Sequence, residues 1–389
     1  MATFKFLKRD PKKHPVYNKH QGIIYNGKDN GYPNETEEVI ANSPIASQCA
    51  GIYADFLEGS GFSNEPVNLS KFQWINYNQN DLLKEVCESL SVHQGAFIHI
   101  SYNANFEKSG FATLPYENCR ISKIDSQGYH GFVYHDSDAW IHTKYGRRYN
   151  TNIIKYHSYN PDPNIVEIQV NQAGGIEKYS GQVFYLKLSN KYAYTSPLIS
   201  PVWDLAKADH ELGLYYLNTI QNNFHDPTIV RHRQMTDEKE LNALDKTLKE
   251  ALGARNASSI IRLEDNFGGE DAQGMFKIEQ LKTEVKPDKF LHIETTIANK
   301  IRKVYKNIPP QLTDFIQGKL GNTSGEDLIK ANSVYNKYTA SNRKKIERNF
   351  AELFSNFHMD IGDDWTIGLY EILEQGTINT DNNNTTPNA

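Results

Sequence analysis

The chain is poor in cysteine, with three in 389 residues. That count offers no disulfide framework and no zinc-finger spacing. Cys49 and Cys87 fall on apolar helical stripes, so they read as buried thiols of a reducing compartment. Long apolar runs are also missing. No stretch approaches the roughly 18 residues that span a bilayer, and the first nine residues lack the apolar core of a signal peptide. The expectation is a protein made in the cytoplasm, without a membrane. Basic excess is missing too, since the formal net charge is −5. A tight, sequence-reading DNA binder normally carries a basic footprint. Finally, the hydrophobic share is low at 38% and mean hydropathy is −0.64. A core of useful size is still available, which excludes wholesale disorder. Much polar contact surface is expected, spread over two or three domains or one elongated subunit.

Catalytic motifs are absent as well. No GxGxxG follows a strand, and there is no GxSxG, HExxH or CxxC. Gly318-Lys319-Leu320-Gly321 lacks P-loop spacing and reads as a mobile polar loop. Arg231-His232-Arg233 reads as an exposed strand edge. Asp363-Asp364 reads as a solvated acidic turn. No enzyme activity, cofactor or metal site is expected. The 23 tyrosines are spread over strands and helix stripes, which suits core and subunit-contact packing.

What is present is an ordered series of elements. The first 40 residues, rich in Gly, Pro and Asn, read as an arm. Asn42-Ser43-Pro44 caps a helix with Ile45, Cys49, Ile52, Tyr53 and Phe56 at helical spacing, stopped by Gly59 and Gly61. A second helix, 79–92, carries Leu82, Leu83, Val86, Cys87 and Leu90 on one face. Strand-like runs follow at 96–102, 111–116, 120–124, 129–134, 138–144, 152–158, 165–170 and 182–188, with turn signals between them. They predict a meandering antiparallel sheet. A long helix covers 200–224. A small unit follows, with strands at 228–233, 258–263 and 275–281 and a helix at 237–252. Another helix, 287–307, has an apolar stripe of Phe290, Ile293, Ile297, Ile301 and Val304 within about 40° of Ile297. Arg302, Lys303 and Lys306 project from its far side. Pro309-Pro310 ends it. A polar connector leads to the longest helix, about 324–357, lined by Leu328, Ala331, Tyr335, Tyr338, Ile346, Phe350, Leu353 and Phe357. Charge is uneven along this series: net +4 over 286–306, +3 over 326–350 and −7 over 351–389.

In this order the chain resembles the portal proteins (head-to-tail connectors) of tailed bacteriophages. The resemblance is carried by Asn42-Ser43-Pro44-Ile45 and Gly95-Ala96-Phe97, then Leu114-Pro115-Tyr116 with Asn118. Tyr194-Thr195-Ser196-Pro197-Leu198 comes next, followed by helix 237–252 with Gly253 and Arg255-Asn256-Ala257-Ser258. It continues through Phe290 to Pro310 with Gln311-Leu312, Gly321-Asn322-Thr323-Ser324-Gly325-Glu326 and Arg343-Lys344-Lys345-Ile346-Glu347. It covers about residues 40–357. It implies an α+β, portal-type elongated subunit: a mixed helix and antiparallel-sheet wing, a two-helix stem, a small α/β clip and one very long C-terminal helix. The implied parts are an N-terminal arm (1–40), wing (41–200), first stem helix (201–225), clip (226–286), second stem helix (287–307), tunnel loop (308–323), long helix with a reduced crown (324–366) and disordered tail (367–389).

The implied function is a ring at one capsid vertex, typically a dodecamer, through which double-stranded DNA passes without sequence recognition. The implied partners are the terminase large subunit, head-completion or adaptor proteins, and the major capsid and scaffold proteins. Arg302, Lys303, Lys306 and Lys319 are the DNA-channel candidates, facing the channel or a neighbouring subunit. Otherwise they form an ordinary solvated or salt-bridged face. Gln311, Gly318, Gly321 and Asn322 are tunnel-loop candidates. Two other readings stand beside this one: a Mg²⁺-dependent nucleic-acid enzyme, and a different virion structural or adaptor protein.

Overall fold

The computed structural model describes residues 22–27, 30–69, 77–126, 128–137, 140, 153–189, 193–221, 228–232, 242, 246, 260–264, 276–280, 287–313 and 322–371. The chain divides into two compact units, one of Met1–Trp203 with Lys300–Ala389, the other of Asp204–Asn299.

In the first unit, local chemistry sets the helix ends. The helix α1 covers Tyr32–Asn42 and α2 covers Pro44–Glu58. Ser43 caps α2 by accepting from the Ala46 N–H at 3.2 Å, with Pro44 in the first turn, where its missing donor costs nothing. Helix α3, Gln79–His93, starts on a capping box: Asn78 Oδ1 accepts from Asn80 and Asp81, and Asp81 Oδ2 accepts from the Asn78 N–H. It ends on Gln94 in the left-handed conformation (φ 59°), which turns the chain directly into the first strand.

The strands are β1 (Gly95–Tyr102), β2 (Lys108–Leu114), β3 (Cys119–Ile121), β4 (Phe132–His135), β5 (Ile154–Ser158) and β6 (Gln182–Lys187). They form one sheet in the order β2-β1-β6-β5-β4-β3. Every pairing is antiparallel except β5–β6. That parallel pair exists because the connection between the two strands is a helix, and here the simple meander expected from the sequence is corrected. Residues 165–170 are not a strand but part of α4, Pro163–Ala173. The Asp162 side chain accepts from the Asn164 N–H at 3.0 Å, so Asp162-Pro163 is a helix start rather than a turn. Val166 and Val170, one turn apart, are buried while Ile168 is 50% exposed. A strand would place Ile168 on the same face as Val166 and Val170 and bury all three.

The arm is corrected in its second half. Residues 32–40 belong to α1, and Ile23 and Ile24 are buried, with the Ile24 N–H donating to the Ile121 carbonyl at 3.0 Å. Ile24 packs with Phe97, Tyr116, Cys119, Ile121, Val133, Val183 and Tyr194. The Tyr194 hydroxyl sits at the centre of this cluster. It donates to the Ile24 carbonyl at 2.6 Å and accepts from the Ile121 N–H at 2.9 Å. Cys49, Cys87 and Cys119 are all buried and free.

The last helix of the first unit, α7, spans Asn322–Phe354, about 50 Å. Tyr335, Thr339, Asn342, Arg343, Ile346, Phe350 and Leu353 are buried along it. Tyr338, expected on this face, is 47% exposed and Thr339 takes the inward position. Beyond α7, residues 367–371, expected to belong to the disordered tail, are packed against the first unit. Ile367 bridges Phe62 and is 4% exposed, and the Tyr370 carbonyl accepts from Asn332 and Asn336. Trp365 packs edge-on to Phe62 and stacks on Phe354.

The second unit contains α5, which begins at Trp203 and runs to Gln221, the strands β7 (Thr228–His232), β8 (Ile260–Glu264) and β9 (Phe276–Gln280), and most of α6, Pro287–Val304. The sheet order is β8-β7-β9, with β7 parallel to β8 and antiparallel to β9. Arg231 and His232 therefore lie in a central strand, not at the edge expected from the sequence. A neighbour on each side takes up its backbone groups. Tyr215 of α5 stacks on Phe290 of α6 at 5.0 Å. The expected helix at 237–252 lies almost wholly outside the described residues.

Candidate nucleic-acid interface

The candidate segment is the C-terminal end of α6 and the turn after it. Helical spacing brings Ile297, Ala298, Ile301 and Arg302 to one buried side, with Tyr305 just beyond the helix end also buried. The far-side placement expected for Arg302 is thereby corrected. It is 6% exposed, and its Nη1 donates to Thr313 Oγ1 at 2.8 Å. Residue 302 follows 298 by four and precedes 305 by three, so it shares their face. Thr313 is held from two further directions. Its hydroxyl donates to the Pro310 carbonyl at 3.1 Å, and its own carbonyl accepts from Gln48 Nε2 at 2.8 Å. Arg302 thus fixes the short turn Pro310–Leu312 against the end of α6 rather than offering its charge to a ligand.

Lys303, the next residue, is exposed. Lys306 lies beyond the helix, half-buried. It and Asn307 adopt left-handed backbone conformations (φ 60° and 56°). The N–H groups of Asn307 and Ile308 donate back to the carbonyls of Lys303 and Arg302, at 3.2 and 3.1 Å. This closure uses carbonyls that a helix end leaves unpaired. It also directs the chain into Pro309-Pro310. Tyr335 of α7 donates to the Tyr305 carbonyl at 2.8 Å, securing the same end to the long helix. Gln311 is half-buried in the turn. Asn322, expected in the loop, is the first residue of α7. Gly318, Lys319 and Gly321 lie outside the described residues. Asp363 and Asp364 are exposed, and Asp364 accepts from the Thr366 N–H. Asp363 lies at a bend in an irregular segment rather than in a hydrogen-bonded turn.

Sequence reading did not find Thr313 or Gln48. The Gln48–Thr313 bond joins positions 265 residues apart, and neither residue belongs to a local pattern that could reveal it.

No protein-family model matches the chain, and neither does any curated protein. Among solved structures the fold is similar to a chain in the virion of a native gene transfer agent particle. The two share 10% identity over 87% of this chain and 84% of that one, with a TM-score of 0.51. A chain from the neck of a native gene transfer agent particle, determined with C12 symmetry, shares 9% identity over 89% and 84%, with a TM-score of 0.49. An HK97-family phage portal protein from Corynebacterium diphtheriae shares 9% identity over 76% and 84%, with a TM-score of 0.39. The first of these bears on the architecture. At such low identity it shows a common fold and nothing finer. The α+β arrangement expected from the sequence is the arrangement observed, in chain order a helix-and-sheet body, two helices on either side of a small sheet, and a very long last helix.

Proposed function

We propose that the chain is the subunit of a portal, a ring at one capsid vertex through which double-stranded DNA enters and leaves the head. The observation that carries this reading is the fold shared with a gene transfer agent virion chain over 87% of the length. The sequence resemblance to portal proteins, over about residues 40–357, supports the same reading. In this reading 201–225 and 287–307 form the stem, 226–286 the clip and 308–323 the tunnel loop. The ring conducts and docks. Hydrolysis belongs to the terminase large subunit, which binds during filling and is later replaced by head-completion or adaptor proteins. Capsid and scaffold proteins surround the ring, and it is a virion component.

The charge pattern suits passage without grip. Phosphate attraction is independent of sequence and falls steeply with salt, so a few basic groups on a net acidic chain guide DNA without holding it. Lys303 is the leading candidate, with Lys306 and Lys319. Arg302 serves the turn instead. Replacing the three lysines by glutamine is expected to lower the DNA packaged per particle while rings still assemble. Unchanged packaging would remove these residues from the channel.

A further inference from the structure

Three segments distant in sequence converge beside α1. Glu37 comes from α1, His93 is the last residue of α3, and Glu117 lies in the single turn Tyr116–Asn118 that precedes β3. One donor atom of each lies within 4.8 Å of the other two. His93 is 3% exposed, its ring stacked on Tyr116 at 4.2 Å, and its Nε2 lies 2.9 Å from Glu37 Oε1. The ring is therefore immobilised with one nitrogen facing the carboxylates.

The cluster sets two carboxylates beside one imidazole. The hydrogen bonds of the neighbouring Arg120 go to neutral oxygens. Its Nε and Nη2 bond Asn30, and its Nη1 bonds the carbonyls of Glu117 and Cys119. Two carboxylates side by side repel unless they share a proton or a cation.

We propose that Glu37, His93 and Glu117 bind one divalent first-row transition-metal ion. One imidazole nitrogen with two carboxylate oxygens is a donor set for zinc or manganese rather than for magnesium or calcium, which prefer all-oxygen sites. Bonds of about 2.0–2.2 Å are within reach of small carboxylate rotations from the present spacing. The Glu37 side chain is 41% exposed, which opens an entry path and leaves room for water in a fourth position. The site staples α1 to the end of α3 and the start of β3. His93 Nδ1, buried, has no hydrogen-bond partner among the described residues. The usual outer acceptor is thus missing, and affinity is expected to be about 10- to 100-fold below that of a site that has one. The proposal does not depend on the portal reading.

The test uses the full chain, stripped with chelator, titrated with zinc chloride by calorimetry and melted with zinc, magnesium or chelator. One zinc per chain is expected, with a melting temperature raised by zinc, restored by chelator and unmoved by magnesium. Glu37→Gln, at a half-exposed position that does not threaten folding, should weaken zinc binding at least tenfold. Three results would overturn the proposal. One is the absence of saturable zinc binding. Another is equal binding by wild type, Glu37→Gln and Glu117→Gln, which places the ion elsewhere. The third is a wild-type melting temperature that ignores zinc and falls as pH is raised, which shows that the carboxyls share a proton instead.

Discussion

Arg120 shows how a single side chain organises this fold. It is fully buried, and its charge is met by neutral oxygens of Asn30, Glu117 and Cys119, with Trp140 under the guanidinium at 5.6 Å. Asn30, in the left-handed conformation, also accepts from the Asn26 N–H. Arg120 therefore joins the N-terminal segment to β3. Arg120→Met keeps the volume and strands several oxygens, so chemical denaturation should show a loss of about 3 kcal/mol or more. Lys108 is a second buried cation. Its Nζ donates to Tyr159, to the Glu352 carbonyl and to Ser355, joining β2 to the end of α7. Desolvation lowers it to about 8, against the pull of Glu352. Between pH 8 and the unfolded value near 10.5, the unfolded chain binds more protons at this site than the folded one. Folding is therefore penalised below pH 8, and the penalty fades as pH rises. The stability of wild type relative to Lys108→Met should increase from pH 8 towards pH 10. A flat difference would mean that Lys108 titrates normally.

At the scale of elements, one residue at each junction often decides. Gly181 opens β6 at φ 86°, and a Cβ there would collide with the Ile100 carbonyl oxygen across the β1–β6 ladder. Gly181→Ala should destabilise by at least about 2 kcal/mol, combining left-handed strain with that collision. A loss below half that value in equilibrium unfolding would contradict the placement. Elements with strong local signals were legible in the sequence: α2 through Ser43-Pro44, α3 through its stripe, α6 and α7 through their length. Others were not. The Gly-Pro punctuation before α1 hid a helix whose second turn contains the Glu37 carboxylate. Ile165–Val170 was read as a strand from its apolar run, and the Asp162 cap with the burial of Val166 and Val170 shows a helix instead. Arg302 was misplaced because the wheel was drawn around the apolar residues alone. The buried side is wider than that stripe, and the charge at 302 is matched by Thr313, a contact that no helix pattern contains. The Glu37–His93–Glu117 cluster was invisible for the same reason, since its spacing exists only after α1, α3 and the turn before β3 have met.

At the scale of the whole molecule, the low apolar content and the net charge of −5 fit a subunit with contact surface to spare. Leu214, Tyr215, Tyr216 and Leu217 on α5, and Leu291 and Ile293 on α6, remain 37–64% exposed in the single chain. Such apolar surface on helices is costly in a monomer and useful between subunits. Assembly should therefore cover both helices, and Leu217→Glu should weaken self-association in sedimentation experiments while leaving the first unit folded. The most direct measurement for the portal account is negative-stain imaging of the purified full chain under assembly conditions. The account predicts rings of uniform size with an axial hole wide enough for a DNA duplex. A stable monomer under the same conditions, above all one that cleaves DNA with Mg²⁺, would contradict it.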